Sequence, residues 1–252
     1  MSEEAEKLAE GTLISHLLEL RNRLVRALLA IALVFIPCAF FANEIFTFVA
    51  QPLIDKLPEG ATLIATSVVS PFLTPFKMAL FVAVFAAMPY VLWQAWAFVA
   101  PGLYRHEKRF AIPLVLSSIV LFYAGVAFAY FVVFPVMFKF FASTTPEGVQ
   151  MATDIGSYLS FVLAMFFAFG IAFEVPIAVV LLVLSGVVSI DKLRSNRGYV
   201  LIGIFVVAAF LTPPDAISQC IMAVPMYLLY EGGLVMARML GKIRRPEPAG
   251  ET

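Results

Sequence analysis

The sequence predicts an all-α, polytopic membrane protein with six transmembrane helices, and three observations predict it. Apolar residues make up 62% of the chain and charged residues 13%, with a mean hydropathy of +0.96; a soluble domain carries about 25% charged residues. The apolar residues gather into runs near the ~20 that a helix needs to cross a bilayer. Lys and Arg crowd one alternate set of the loops between those runs.

The runs fall at residues 24–41, 76–99, 112–138, 158–184, 199–211 and 217–236. Before the first, Leu13, Leu17, Leu20 and Leu24 form a stripe at helical spacing, so this end is expected to lie along the membrane interface before turning inward. The loop at 43–75 is punctuated by Pro52, Pro58, Gly60, Pro71 and Pro75 and is expected to hold short helices as a cap. The fifth run extends about 20 Å against a core of about 30 Å, so it either thins the bilayer or places its turn below the surface. That turn reads Leu211-Thr212-Pro213-Pro214-Asp215, with Asp215 as N-cap of the last helix. No soluble domain fits between the runs, so residues 1–252 read as a single transmembrane domain with short tails.

Basic residues set the orientation. One set of loops holds Lys7, Arg21, Arg23 and Arg26, then Arg105, Lys108 and Arg109, then Lys192, Arg194 and Arg197, then Arg238, Lys242, Arg244 and Arg245. The opposite set offers Lys56, Lys77 and Lys139. The positive-inside rule places both termini in the cytoplasm. The N-terminal MSEEAEKLAEGT lacks the basic start and short apolar core of a secretory signal, so the chain is expected to be used whole.

Several function classes are excluded. No basic stripe suits nucleic acid. Cys38 and Cys220 lie far apart in apolar stretches without metal or redox spacing, and read as small packing residues. His16 and His106 have no nucleophile or metal-ligand spacing, and there is no P-loop, so neither a catalytic site nor a metal or other cofactor is expected.

One residue breaks the apolar pattern most sharply. FFAFGIAFEVPIAVVLLVL carries Glu174 about ten residues from the end of its run, or roughly 15 Å deep. A carboxylate there costs about 2.5–3.5 kcal/mol, so it marks a site or is held by the bundle. Gly170 and Ala178 flank it on one face, where small residues admit a neighbouring backbone. Pro176 cannot donate to the carbonyl of Ala172, which predicts a bend beside the carboxylate. Depth counting brings Gln219 to the level of Glu174, as a candidate partner. Near the chain start, Glu19 stands four residues before Arg23, spacing for an intrahelical ion pair. Glu107 is the lone acid in a short basic loop; either carboxylate has the chemistry to accept a guanidinium through two hydrogen bonds.

Five stretches in order, SHLLELRNRL, SPFLTPFK, FVAPGLYRHEKR, FAFGIAFEVP and LTPPDAISQ, resemble the TatC family, the multispanning core of the twin-arginine protein translocase. The resemblance implies a concave, glove-like bundle in the bacterial inner membrane. It also implies a receptor for twin-arginine signal peptides of folded cargo, exported at the expense of the proton motive force. Glu19 and Glu107, with Arg21 and Phe98, would bind the signal. Glu174, Thr212 and Gln219 would form an intramembrane site for the single-span partners TatA and TatB, within an oligomer of receptor complexes. The stretch SPFLTPFK has Thr74 where many members carry an acid, so that acid's role does not transfer. The alternative is a proton- or ion-coupled secondary transporter using Glu174; no inverted repeat supports it.

Overall fold

The computed structural model describes residues 3–54, 62–99, 111–144, 152–212 and 215–243. In chain order these form α1 (Glu3–Phe40), α2 (Ala42–Ile54), β1 (Thr62–Ile64), α3 (Ser70–Val99), α4 (Ala111–Phe128), α5 (Phe134–Thr144), β2 (Ala152–Asp154), α6 (Ile155–Ala172), α7 (Val175–Leu184), α8 (Ile190–Ser195), α9 (Arg197–Leu211) and α10 (Ala216–Ile243). A π-helical turn, Ala129–Val133, joins α4 to α5. Among the described residues, five stretches are long and apolar enough to span a membrane: Ile14–Phe40, Ser70–Phe98, Ile112–Phe141, Ile155–Leu184 and Ala216–Leu240. The sixth, α9, has 15 residues and rises about 22 Å. All six expected runs form helices, five of spanning length and one shorter, and α2 supplies a helix in the first long loop.

Two expectations about helix shape meet different outcomes. No turn separates residues 15–24 from the first span: α1 runs unbroken from Glu3 to Phe40, with its one internal proline, Pro37, near the end. With no helix breaker between Ser15 and Ile36, nothing in the sequence stops the α-helical hydrogen bonding. Leu17, Leu20 and Leu24 are exposed on its surface. The fourth span does break where Pro176 requires it. Helix α6 ends at Ala172, the Glu174 N–H turns back to the carbonyl of Ile171 at 3.0 Å, and α7 starts afresh at Val175.

The chain divides into two compact units: Met1–Phe48 with Pro75–Val115, and Val49–Thr74 with Leu116–Thr252. Buried residues of the first include the small Ala27, Ala79, Ala83 and Ala87 as well as Met78 and Trp96. In the second, the larger side chains of Phe122, Phe134, Met137, Leu159, Phe169, Ile177 and Met222 are fully buried. Lipid tails are as apolar as leucine, so close packing rather than exclusion from water holds such helices together. Two glycines make that possible. A Cβ on Gly125 would stand 2.3 Å from the carbonyl oxygen of Phe169, so α4 lies directly on α6. A Cβ on Gly233 would stand 2.8 Å from Cα of Pro176, so α10 lies directly on α7.

A short two-stranded strap belongs to the second unit. Strands β1 and β2 pair in parallel, Thr62 with Ala152 and Ile64 with Asp154. Asp154 then caps α6. Its Oδ2 accepts from the Thr66 N–H at 3.1 Å and the Thr66 hydroxyl at 2.8 Å, and its Oδ1 from the Ser157 N–H at 2.8 Å. These donors, the Thr66 backbone foremost, hold the Asp154 carboxyl well below the usual carboxylate range.

Candidate functional site

In the first unit, α1 and α3 run against each other at the ends where Glu19 and Phe98 lie. The His16 ring stacks on Phe98 with centroids 4.3 Å apart. One turn on, Glu19 Oε1 accepts from Arg23 twice, from Nε at 2.9 Å and from Nη2 at 2.6 Å. Arg23 Nη1 also reaches Oε1 of Gln94 on α3, at 3.4 Å. Glu19 and Arg23 retain 36% and 22% of their side-chain exposure, so the pair stands at a partly wet surface and is worth ~0.2–1 kcal/mol. Arg21 is exposed and donates to Asn22 at 3.4 Å. The structure thus brings Glu19 and Phe98 into one seam and leaves Arg21 outside it. Glu107 lies outside the described residues. The intrahelical Glu19–Arg23 pair, readable from spacing alone, is formed.

In the second unit, the break after α6 presents Glu174 to α4, where the hydroxyl of fully buried Ser118 donates to its Oε2. The other oxygen, Oε1, is buried and accepts no hydrogen bond among the described residues. Gly170 does lie at a close approach, but of a side chain: a Cβ there would meet the Phe122 ring at 2.6 Å. Ala178 is exposed, so the expected pair of small flanks against one backbone is not formed.

The depth match between Glu174 and Gln219 is not produced either. Gly233 is the α10 residue that packs on Pro176, and about 21 Å of helix separates Gln219 from it. The counting took the helices as upright and stacked from a common surface; the Gly233 contact sets a different offset. Gln219 is half-buried in the first turn of α10. Thr212 is buried and donates to the carbonyl of Ala208 at 2.9 Å, so its hydroxyl closes its own helix. Asp215 is the N-cap expected of it, accepting from the Ser218 N–H at 2.7 Å. Pro213 and Pro214 lie outside the described residues. Cys220 is exposed rather than packed, and Cys38 is intermediate.

Sequence reasoning missed Gln94 and Ser118. Gln94 carried a usable signal, since it is the same kind of exception in an apolar run as Glu174. Ser118 carried none; serine is common in membrane helices and its partner is distant in sequence. A further polar cluster sits where α9 begins: Arg197 pairs with Glu231, which also accepts from Tyr227 at 3.0 Å. Tyr230 donates to the Leu193 carbonyl at 2.8 Å, fixing α10 to α8.

Six apolar spans, a carboxylate–guanidinium seam at the start of the first and a part-buried carboxylate inside the fourth define a polytopic membrane receptor or transport protein. The family model of the Sec-independent protein translocase protein TatC matches residues 15–225. The chain belongs to the TatC family, and so is a protein translocase component rather than an enzyme. The Sec-independent protein translocase protein TatC of Azotobacter chroococcum mcd 1 is 58% identical over 238 residues, covering 94% of this chain and 92% of that protein. That of Escherichia coli strain K12 is 53% identical over 236 residues, covering 93% and 92%. A crystal structure of the twin-arginine translocase receptor TatC superposes with a TM-score of 0.80 at 38% identity, covering 90% of this chain and 99% of that one.

Proposed function

We propose that this chain is the signal-receiving core of a twin-arginine translocase in the bacterial inner membrane, working as one transmembrane domain with both termini cytoplasmic. Glu19 and Glu107, with Arg21 and Phe98 nearby, bind the paired arginines of signal peptides on folded cargo. Glu174, Thr212 and Gln219 recruit the single-span partners TatA and TatB, and the receptor complexes assemble as oligomers. The observation that carries this reading is the grip of Glu19 on a guanidinium in the seam beside Phe98. A carboxylate that already accepts two donors from Arg23 has the chemistry to accept them from an arginine of a peptide. The transporter alternative has no observation in its favour, since Glu174 is tied to Ser118 and the family is a protein translocase.

The test is binding of a synthetic paired-arginine signal peptide to the purified protein in nanodiscs. Glu19→Gln and Glu107→Gln keep size and remove charge, and each is expected to cost about 1.5–3 kcal/mol of binding. Raised salt should weaken the parent's binding too. Parent-like affinity in both variants would place the signal site elsewhere.

A further inference from the structure

We propose that Arg23 is an internal occupant of the guanidinium seat at Glu19, displaced onto Gln94 when a signal peptide binds. The inference rests on the reading of Glu19 as a signal-binding residue and adds a regulatory step to it. Both Arg23 contacts fall on the same carboxylate oxygen, Oε1, from Nε at 2.9 Å and Nη2 at 2.6 Å. A carboxylate oxygen offers two lone pairs, so Oε1 is filled. A second guanidinium that docks end-on needs one donor on each oxygen and cannot form that arrangement while Arg23 stays.

The structure also contains the place to which Arg23 retires. Its remaining terminal nitrogen, Nη1, already stands 3.4 Å from Oε1 of Gln94, at the long limit of a hydrogen bond. Gln94 is 7% exposed and belongs to α3, not α1. Release from Glu19 lets the guanidinium close that gap and satisfy the buried amide oxygen more fully. Signal binding would thereby exchange a bond within α1 for a stronger bond between α1 and α3, giving the occupied receptor a different tie between its first two spans.

An intramolecular occupant lowers apparent affinity by the fraction of molecules in which the seat is free. For a partly exposed pair that factor is about two to five. The experiment measures paired-arginine peptide binding to the full chain in nanodiscs for Arg23→Gln, Gln94→Leu and the double variant, with Glu19→Gln as control. Arg23→Gln is expected to bind about two- to fivefold tighter than the parent. Gln94→Leu, which removes the refuge, is expected to bind more weakly than the parent, and to have no effect once Arg23 is absent. Weaker or unchanged binding in Arg23→Gln overturns the proposal, as does a Gln94→Leu effect that persists without Arg23. If Arg23→Gln does not fold, Arg23→Lys replaces it: an ammonium lacks the two-donor grip, so tighter binding supports the proposal and equal or weaker binding overturns it. Parent-like binding by Glu19→Gln would instead remove Glu19 from the signal-binding reading, a separate outcome.

Discussion

Ser118 makes the one hydrogen bond that the Glu174 carboxylate accepts among the described residues, from a side chain with no exposure of its own. Removing the hydroxyl would leave both carboxylate oxygens, inside a span, without a donor among the described residues. Polar contacts of this kind in membrane bundles are worth about 0.6–2 kcal/mol. Ser118→Ala is therefore expected to lower the thermal unfolding midpoint in detergent, and to lower it no further when combined with Glu174→Ala. Additive losses would show that the two side chains stabilise the fold independently. The contrast in legibility between the two is physical. A carboxylate in an apolar run announces its cost wherever it stands, whereas a serine costs little and reveals its partner only through the packing of α4 on α6, which Gly125 makes close. Glu19 and Arg23 were legible as a pair because helix geometry alone brings residues four apart together.

At the scale of elements, features governed by neighbouring residues were readable, and those set by distant contacts were not. Pro176 forbids one backbone hydrogen bond, and the span breaks beside it; Asp215 is a short polar side chain before an apolar run, and it caps α10. The strap of β1 and β2 left no trace in the sequence, because three-residue strands are too short to show alternation. Gln219 was misplaced because the offset between α7 and α10 depends on where Gly233 meets Pro176. The strap offers its own test through Asp154. A carboxyl whose pKa is depressed by folding stabilises the fold fully above its ordinary value of 3.8, and that contribution fades as the pH falls through and below it. Asp154→Asn is expected to unfold at lower temperature than the parent at about pH 7, with the difference shrinking below about pH 4. A difference independent of pH would assign the strap's stability to the backbone pairing instead.

For the molecule as a whole, the six spans and the alternation of basic loops were legible because the bilayer imposes a length and a charge asymmetry on any chain that crosses it. The proposed orientation is open to direct measurement. With the free cysteines Cys38 and Cys220 replaced by alanine, a cysteine at Arg105 or Arg194 should resist a membrane-impermeant thiol reagent applied to intact spheroplasts, and one at Glu147 should react. Labelling of Arg194→Cys from outside would overturn the both-ends-in arrangement. The pairing of Ser118 with Glu174 also bears on how the chain is made. Ser118 precedes Glu174 by 56 residues, about 3–11 s of synthesis at 5–20 residues per second. The donor is therefore translated before the carboxylate emerges from the ribosome, and the costliest residue of the fourth span can find its neighbour during insertion. Reversing that order by circular permutation, with α6 and α7 ahead of α4, would leave Glu174 to enter the bilayer unaccompanied.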